Sequence, residues 1–256
     1  MFSVDEDDVL ERTMLIDDEF VAERAVAKLW GVPKCAGERF LAVDVEGVGL
    51  GSYSGRATLV QIASHTCLWG DANIFVFDVL SCPSIWSELR GLLQTQEIIK
   101  VFHNCRSDLF AIQQQENIRI GRMYDTGIAD YVIRWQENPG ANASRRSLND
   151  VVLAYGAGRV PRNDLGDYLP HCYRSGREVW AERPLTHSML SYAAADADIL
   201  WKLYKRIRSL VRRGRAADLM WTMIWEMKNA DLEPAAVRQN RRHRERERSR
   251  FRSSTH

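Results

Sequence analysis

The sequence contains no run of about 18 consecutive apolar residues, so neither a membrane-spanning helix nor a membrane partner is expected. It also lacks paired-cysteine motifs. Its five cysteines (Cys35, Cys67, Cys82, Cys105 and Cys172) are scattered, odd in number and never spaced as CxxC. That pattern argues for a reducing compartment and against a zinc site. No internal repeat is visible. The first eight residues, Met-Phe-Ser-Val-Asp-Glu-Asp-Asp, are acidic, whereas secretory and mitochondrial leaders are basic near their start. An intracellular protein, cytoplasmic or nuclear, is therefore expected. Hydrophobic residues make up 45% and charged residues 27% of the 256, which excludes a collagen, a coiled-coil rod and a wholly disordered chain. This length suits one α/β domain of ~200 residues with extensions, whose core needs no disulfide or metal staple.

The formal net charge of +1 conceals an asymmetry. Residues 1–20 hold eight acids and one Arg, while residues 238–256 hold eight Arg and two Glu. The Arg-rich segment has almost no apolar residues and cannot bury enough surface to fold alone. Three uses remain open for it: an arm for nucleic-acid phosphates, a nuclear address, or a solubilising or partner-docking tail.

Hydrophobic periodicity predicts a helix over 17–31, strands over Phe40–Val45, Thr58–Ala63 and Ile74–Val79, and a helix over Ser84–Gln94 capped by Ser84. A strand over Ile98–Phe102 follows, then a helix from Ser107 to Gln115, a strand within 119–125 and helices over Thr126–Trp135 and Leu148–Tyr155. Residues 156–178, with four glycines and two prolines, read as a long loop. A long helix from Thr186 to Arg212 and a last helix from Ala216 to Ala230 complete the pattern. Three strands in succession, then alternation, then helices imply an α/β fold: a mixed sheet with helices packed on it.

Three segments carry chemistry. Asp44-Val-Glu46 lies in the first predicted strand, whose period of two puts both carboxylates on one face, with Val43 and Val45 facing the other way. Adjacent carboxylates repel unless a cation lies between them, and their hard oxygens suit Mg²⁺ or Mn²⁺. Taken alone, Asp-x-Glu is a weak signal, and capping the Gly47–Gly51 turn is the commoner use of such an acid. Tyr192-Ala-Ala-Ala-Asp196 places a hydroxyl and a carboxylate on one helix face, with alanines that let the helix approach a sheet. An ordinary exposed pair is the alternative. Asp198 points elsewhere on that helix and reads as solvated. Asp108 falls in the first turn of a helix after the strand and turn Val101-Phe-His-Asn-Cys, where the helix dipole alone would favour an acid. His103 orients that turn or touches substrate.

Together these segments resemble the DEDD superfamily of 3′–5′ exonucleases, in the DEDDy or RNase D form. Asp44 and Glu46 match the first motif, Asp108 the second, and Tyr192 with Asp196 the third. Ile99-Lys-Val-Phe-His103, Tyr124-Asp-Thr126 with Ile128-Ala129, Ser147-Leu148 and Trp180-Ala-Glu-Arg-Pro-Leu185 extend the likeness over about residues 38–210. Asp44-Val-Glu-Gly-Val-Gly-Leu50 resembles the signature of the Egalitarian-like eukaryotic branch, some of whose members are RNA-binding adapters. The resemblance implies an RNase H-like fold (DnaQ-like, a mixed sheet flanked by helices). It divides the chain into an acidic N-terminal helical extension (1–37), an exonuclease domain (38–212), a C-terminal helix (213–237) and a disordered Arg-rich tail (238–256).

The resemblance further implies two divalent cations, Mg²⁺ or Mn²⁺, held by Asp44, Glu46, Asp108 and Asp196, with Tyr192 orienting the attacking water. Asp44 would bridge both ions, Glu46 and Asp196 would complete one, and Asp108 would reach the other largely through water. The product would be a nucleoside 5′-monophosphate, and the substrate single-stranded RNA at its 3′ end. An RNA-binding adapter or complex subunit without turnover and a DNA-trimming nuclease are the competing readings. His103, Arg56, Arg106 and Arg183 are candidate substrate contacts, with surface or packing salt bridges as the alternative for the arginines. Phe102 and Tyr53 could stack on bases, although Phe102 follows the core side of its strand. Trp221 and Trp225 lie four apart on a last helix that is apolar nearly all round. It either packs on the domain or, with the charged termini, meets a protein partner.

Overall fold

The computed structural model describes residues 6–139, 144–160 and 164–229. The elements run α1 (Glu6–Glu11), β1 (Thr13–Ile16), α2 (Glu19–Trp30), β2 (Phe40–Val48), β3 (Arg56–Ala63), β4 (Ile74–Phe77), α3 (Ile85–Gln94), β5 (Ile99–Phe102) and α4 (Arg106–Glu116). They continue with β6 (Met123–Asp125), α5 (Thr126–Glu137), α6 (Leu148–Ala154), α7 (Asp164–Ser175), a 3₁₀ turn (Val179–Ala181), α8 (His187–Ile207) and α9 (Arg215–Asn229).

The strands form one mixed sheet in the order β1-β4-β3-β2-β5-β6. Only β3 runs antiparallel to its neighbours, because short connections join β2 to β3 and β3 to β4. The β4–β5 and β5–β6 connections each carry a helix, and β5 pairs in parallel with both β2 and β6. Two cores flank the sheet. On one face, Ala42, Leu59, Ala63, Ile74 and Val76 meet Ala193, Ala194, Ala197 and Leu200 of α8. On the other, Val43, Val45, Val60, Ile62 and Val101 meet α2, α3, α5 and α9.

Several expectations are corrected. The 156–178 stretch is not all loop: it contains α7, with Pro170 inside it, because Leu169 and Cys172 give that helix a buried side. The long helix stops at Ile207, not Arg212. The strand expected within 119–125 is only Met123–Asp125, and the third strand ends at Phe77 rather than Val79. Ser84 makes no side-chain cap bond to α3. Thr186 and Ser147 do cap their helices, accepting from the backbone N–H of Met189 and Asp150. The expected N-terminal extension contributes β1 as a parallel edge strand beside β4 and packs α2 on α3. In α9, Ala216, Met220, Ile224 and Met227 are buried while Trp221 and Trp225 stay exposed, so one face packs on the domain and the other is open. The Arg-rich segment 238–256 lies outside the described residues.

Asp198 is the clearest correction. It is buried, not solvated, with 2% exposure. Arg12, from the turn between α1 and β1, donates to both its oxygens at 3.2 Å, and Trp201 Nε1 donates at 2.9 Å. Lys202 completes the set. Burial alone would raise this carboxyl, but the Arg12 and Lys202 contacts more than offset it and hold the group below its usual range. The cluster ties β1 to the helix that carries Tyr192 and Asp196. Arg12→Ala should therefore lower the unfolding free energy by about 2 kcal/mol, because it strips one partner from a buried carboxylate that Lys202 and Trp201 still hold. Urea unfolding measures this, and an unchanged midpoint would contradict the pairing.

Candidate active site

Along β2, Val43, Val45 and Gly47 are buried while Asp44, Glu46 and Val48 lie on the partly open face, as the period of two requires. The β2–β3 register is regular through Asp44↔Gln61, Val45↔Val60 and Glu46↔Leu59, then shifts so that Gly47 pairs with Ala57. This bulge leaves Thr58 as the extra residue, and its Oγ1 donates to the Glu46 carbonyl at 3.3 Å. Gly47 is needed there, since a Cβ would collide with the Arg56 carbonyl. Bulges sharpen strand twist and re-aim side chains.

Across the cleft, α8 lies on the sheet through alanines. Ala193, Ala194 and Ala195 are all buried, and Ala42 and Ala63 face that helix from the strands. The close approach brings Asp196 to Asp44 and Glu46. Each of these three carboxylates offers an oxygen, and those oxygens lie within 4.8 Å of one another.

Asp108 stands beside this trio, in the first turn of α4. Its position is set by the 103–105 turn. Asp125 accepts the Cys105 backbone N–H at 3.0 Å with one oxygen and caps α5 through the Ile128 N–H at 2.9 Å with the other. Asn104 adopts a left-handed φ of 52° and wedges its amide against Gly127, where a Cβ would strike it. Thr126 Oγ1 donates to the Phe102 carbonyl at 3.0 Å, so it accepts from His103 Nδ1–H at 2.8 Å. His103 Nε2 faces Asn104 Nδ2 at 2.9 Å and the Arg146 carbonyl at 3.1 Å. Burial lowers the His103 pKa. These bonds tie His103 into the turn.

The charge balance is one-sided. Asp44 is pushed up to about 6, first by burial. Glu46 is driven well above its usual range by burial and then by Asp44, Asp196 and Asp108. Burial and the Asp44 charge do the same to Asp108 and Asp196. Burial followed by Asp196, Glu46 and Asp44 raises the Tyr192 hydroxyl, which therefore stays protonated and able to donate. Four acids whose proton affinities are raised by burial and by neighbouring carboxylates, in a set of hard oxygen donors, match a divalent cation site. A buried amide supports the fit: Gln61, paired with Asp44 across the sheet, has no hydrogen-bond partner at either side-chain atom.

Beside Glu46 opens a cavity of 540 Å³, lined by the 46–50 backbone and by Tyr173, Arg177 and Trp180. That volume falls in the range of small-ligand sites, ~300–1,000 Å³. Trp180 packs against Tyr192 with ring centroids 5.9 Å apart. Trp180 Nε1 donates to the Tyr173 hydroxyl at 3.1 Å, which leaves the Tyr173 proton free to point elsewhere. Tyr173 and Arg177 come from the stretch read as loop, whereas Trp180 opens the Trp180–Leu185 segment that the family resemblance marks. Of the other predicted contacts, Arg106 opens α4 two residues before Asp108, and Arg56 is exposed at the start of β3. Arg183 donates to both Asp78 oxygens, at 2.6 and 2.7 Å, the packing salt bridge that was the alternative to a substrate contact. Tyr53 is exposed and edges onto Phe110, while Phe102 is fully buried core.

A family model described as 3′–5′ exonuclease matches residues 14–212, the span that builds the sheet and all four acids. The chain belongs to the 3′–5′ exonuclease family. It is 29% identical over 195 residues to Exosome complex component 10 of Mus musculus, covering 75% of this chain and 19% of that protein. It is 27% identical over 179 residues to Ribonuclease D of Gluconacetobacter diazotrophicus, covering 70% and 39% respectively. The chain thus spans well under half the length of these relatives. Among solved structures, Trypanosoma brucei RNase D superposes with a TM-score of 0.70 at 22% identity, covering 86% of this chain and 73% of that one. Brucella melitensis NrnC with bound Mg²⁺ gives 0.55 at 21% identity, covering 75% and 82%. These superpositions establish the exonuclease fold, a mixed sheet flanked by helices.

A consequence for stability follows from the raised acids. A carboxyl whose folded-state pKa exceeds its unfolded value binds more protons when folded, so stability is lost as pH rises through the folded value. In EDTA, the melting midpoint should fall as pH rises through about 6, the folded value of Asp44, and go on falling above it as the other acids ionise. Mn²⁺ should restore it at the upper end and do little at the lower, where protons compete. Calorimetric melting tests this, and a metal-independent midpoint at both ends would contradict a cation site.

Proposed function

We propose that this chain is a metal-dependent exoribonuclease that removes nucleotides from the 3′ end of single-stranded RNA. The gathering of Asp44, Glu46 and Asp196 within 4.8 Å, beside a nucleotide-sized cavity, carries this reading. The choice of RNA draws on the relatives, which include proteins named Ribonuclease D, and on a solved neighbour that is a complex of Trypanosoma brucei RNase D with RNA U12. Tyr192, one helical turn from Asp196, supports the DEDDy subtype. Asp44-Val-Glu-Gly-Val-Gly-Leu50 supports the Egalitarian-like branch.

Asp44, Glu46, Asp108 and Asp196 would hold two divalent cations, Mg²⁺ or Mn²⁺, which supply charge neutralisation and an activated water for in-line phosphodiester hydrolysis. The chain's own residues do the rest. Tyr192 keeps its proton at neutral pH and orients the attacking water beside Asp196. The 46–50 backbone and the Tyr173–Trp180 wall hold the terminal nucleotide against the acids. Hydrolysis there releases a nucleoside 5′-monophosphate and leaves a 3′ hydroxyl on the shortened strand.

A 5′-labelled single-stranded RNA should shorten stepwise from its 3′ end in Mg²⁺ or Mn²⁺. Asp44→Ala and EDTA should each abolish the ladder. Tyr192→Phe should slow it by about 10²–10⁴-fold while keeping the Mn²⁺-induced rise in melting midpoint, because the ligands remain. A DNA strand of the same sequence, run alongside, shows whether the 2′ hydroxyl is sensed. Intact RNA in every lane, from a chain that melts cooperatively, would sink the nuclease reading in favour of an RNA-binding adapter.

A further inference from the structure

The core beneath α8 is largely apolar, yet it contains a buried glutamine on β3. Gln61 sits between Leu59 and Ala63 on β3, with 0% exposure. Neither its Oε1 nor its Nε2 finds a hydrogen-bond partner. Burying an amide unsatisfied is costly, and a leucine or methionine of similar size would avoid that cost. Such a group calls for an explanation.

The sheet register supplies one. Gln61 stands directly opposite Asp44 in the antiparallel β2–β3 pair. Side chains so placed share a face, with Cβ atoms about 4.5–5.5 Å apart, within reach of a glutamine amide. The face is the one that α8 covers, since Leu59 and Ala63, two residues to either side, both pack there. On its other flank Gln61 pairs with Val76 of β4, which offers only a hydrocarbon side chain. Asp44 is therefore the one polar side chain that the two flanking registers set opposite Gln61.

We propose that Gln61 is a positioning residue, whose amide N–H holds the Asp44 carboxylate in the orientation that accepts a divalent cation. This inference rests on the acids being a cation site. A carboxylate that binds a cation with one lone pair has others to satisfy, and ligating carboxylates are themselves hydrogen-bonded by residues behind them. An amide suits the task because it donates without carrying charge into the core. A lysine there would compete with the cation, and a hydroxyl is too short to span the strands. In the cation-free chain the amide makes no hydrogen bond, and it takes up the Asp44 carboxylate when a cation is bound.

The test compares full-length native chain with Gln61→Leu and, as a second variant of different shape, Gln61→Met. Two quantities are read for each: the melting midpoint in EDTA, and the Mn²⁺ affinity by calorimetric titration. The expected pattern has opposite signs. The cation-free midpoint stays level or rises, while Mn²⁺ affinity drops by about 10-fold or more. A purely structural glutamine, satisfied in the fold by other means, gives the reverse: a lower midpoint with unaltered affinity. That result overturns the proposal while leaving the cation site standing. If the native chain itself takes up no Mn²⁺, the site reading falls, and the role of Gln61 falls with it.

Discussion

Mutual repulsion among four carboxylates in a confined cleft is the constraint on which the rest of this structure depends. Burial raises the proton affinity of Asp44, Glu46, Asp108 and Asp196, and neighbouring carboxylates raise it further at Glu46, Asp108 and Asp196. Left to themselves such groups would separate or neutralise by taking up protons. The scaffold keeps them together through packing that is indifferent to their charge. Alanines on α8 and on β2 and β3 set the helix close to the sheet, and the bulge at Gly47 turns the strand end. Asp125 fastens the start of α4 to the start of α5. None of these contacts uses the four acids, so the site is built without consuming its ligands.

The electrostatics elsewhere in the domain run the opposite way. Asp198, Asp78 and Asp130 are buried carboxylates with arginines at hydrogen-bond distance. Asp198 and Asp196 lie two residues apart on one helix, yet one is held below its usual proton affinity and the other well above it. The difference is a matter of which face of α8 each occupies. The face toward Arg12 anchors β1 and α1, whereas the face toward β2 carries the cluster that lacks a base.

The site was legible in the sequence because each of its pieces has short-range periodicity. A period of two puts Asp44 and Glu46 on one side of a strand, a period of four pairs Tyr192 with Asp196, and Asp108 marks a helix start. Their order along the chain pointed to the exonuclease family. What remained hidden depends on distant partners. Thr13–Ile16 is too short and too close to acids to read as a strand until β4, some 60 residues on, gives it an edge to pair with. Arg12 and Asp198 are 186 residues apart, so no local pattern joins them. Gly166 and Pro170 broke the apparent pattern of α7, and with it the place of Tyr173 in the cavity wall went unseen. Gln61 looked like any polar residue in a strand, since only the β2–β3 register sets it against Asp44.

The central claim is that these acids hold protons when no cation is present and release them to bind one. Titrating Mn²⁺ into the EDTA-stripped chain near about pH 6.5, in two buffers of different ionisation enthalpy, counts those protons directly. Uptake of cation with net release of protons, absent in Asp44→Asn, is the predicted result. Uptake without proton release, or no uptake at all, would contradict it.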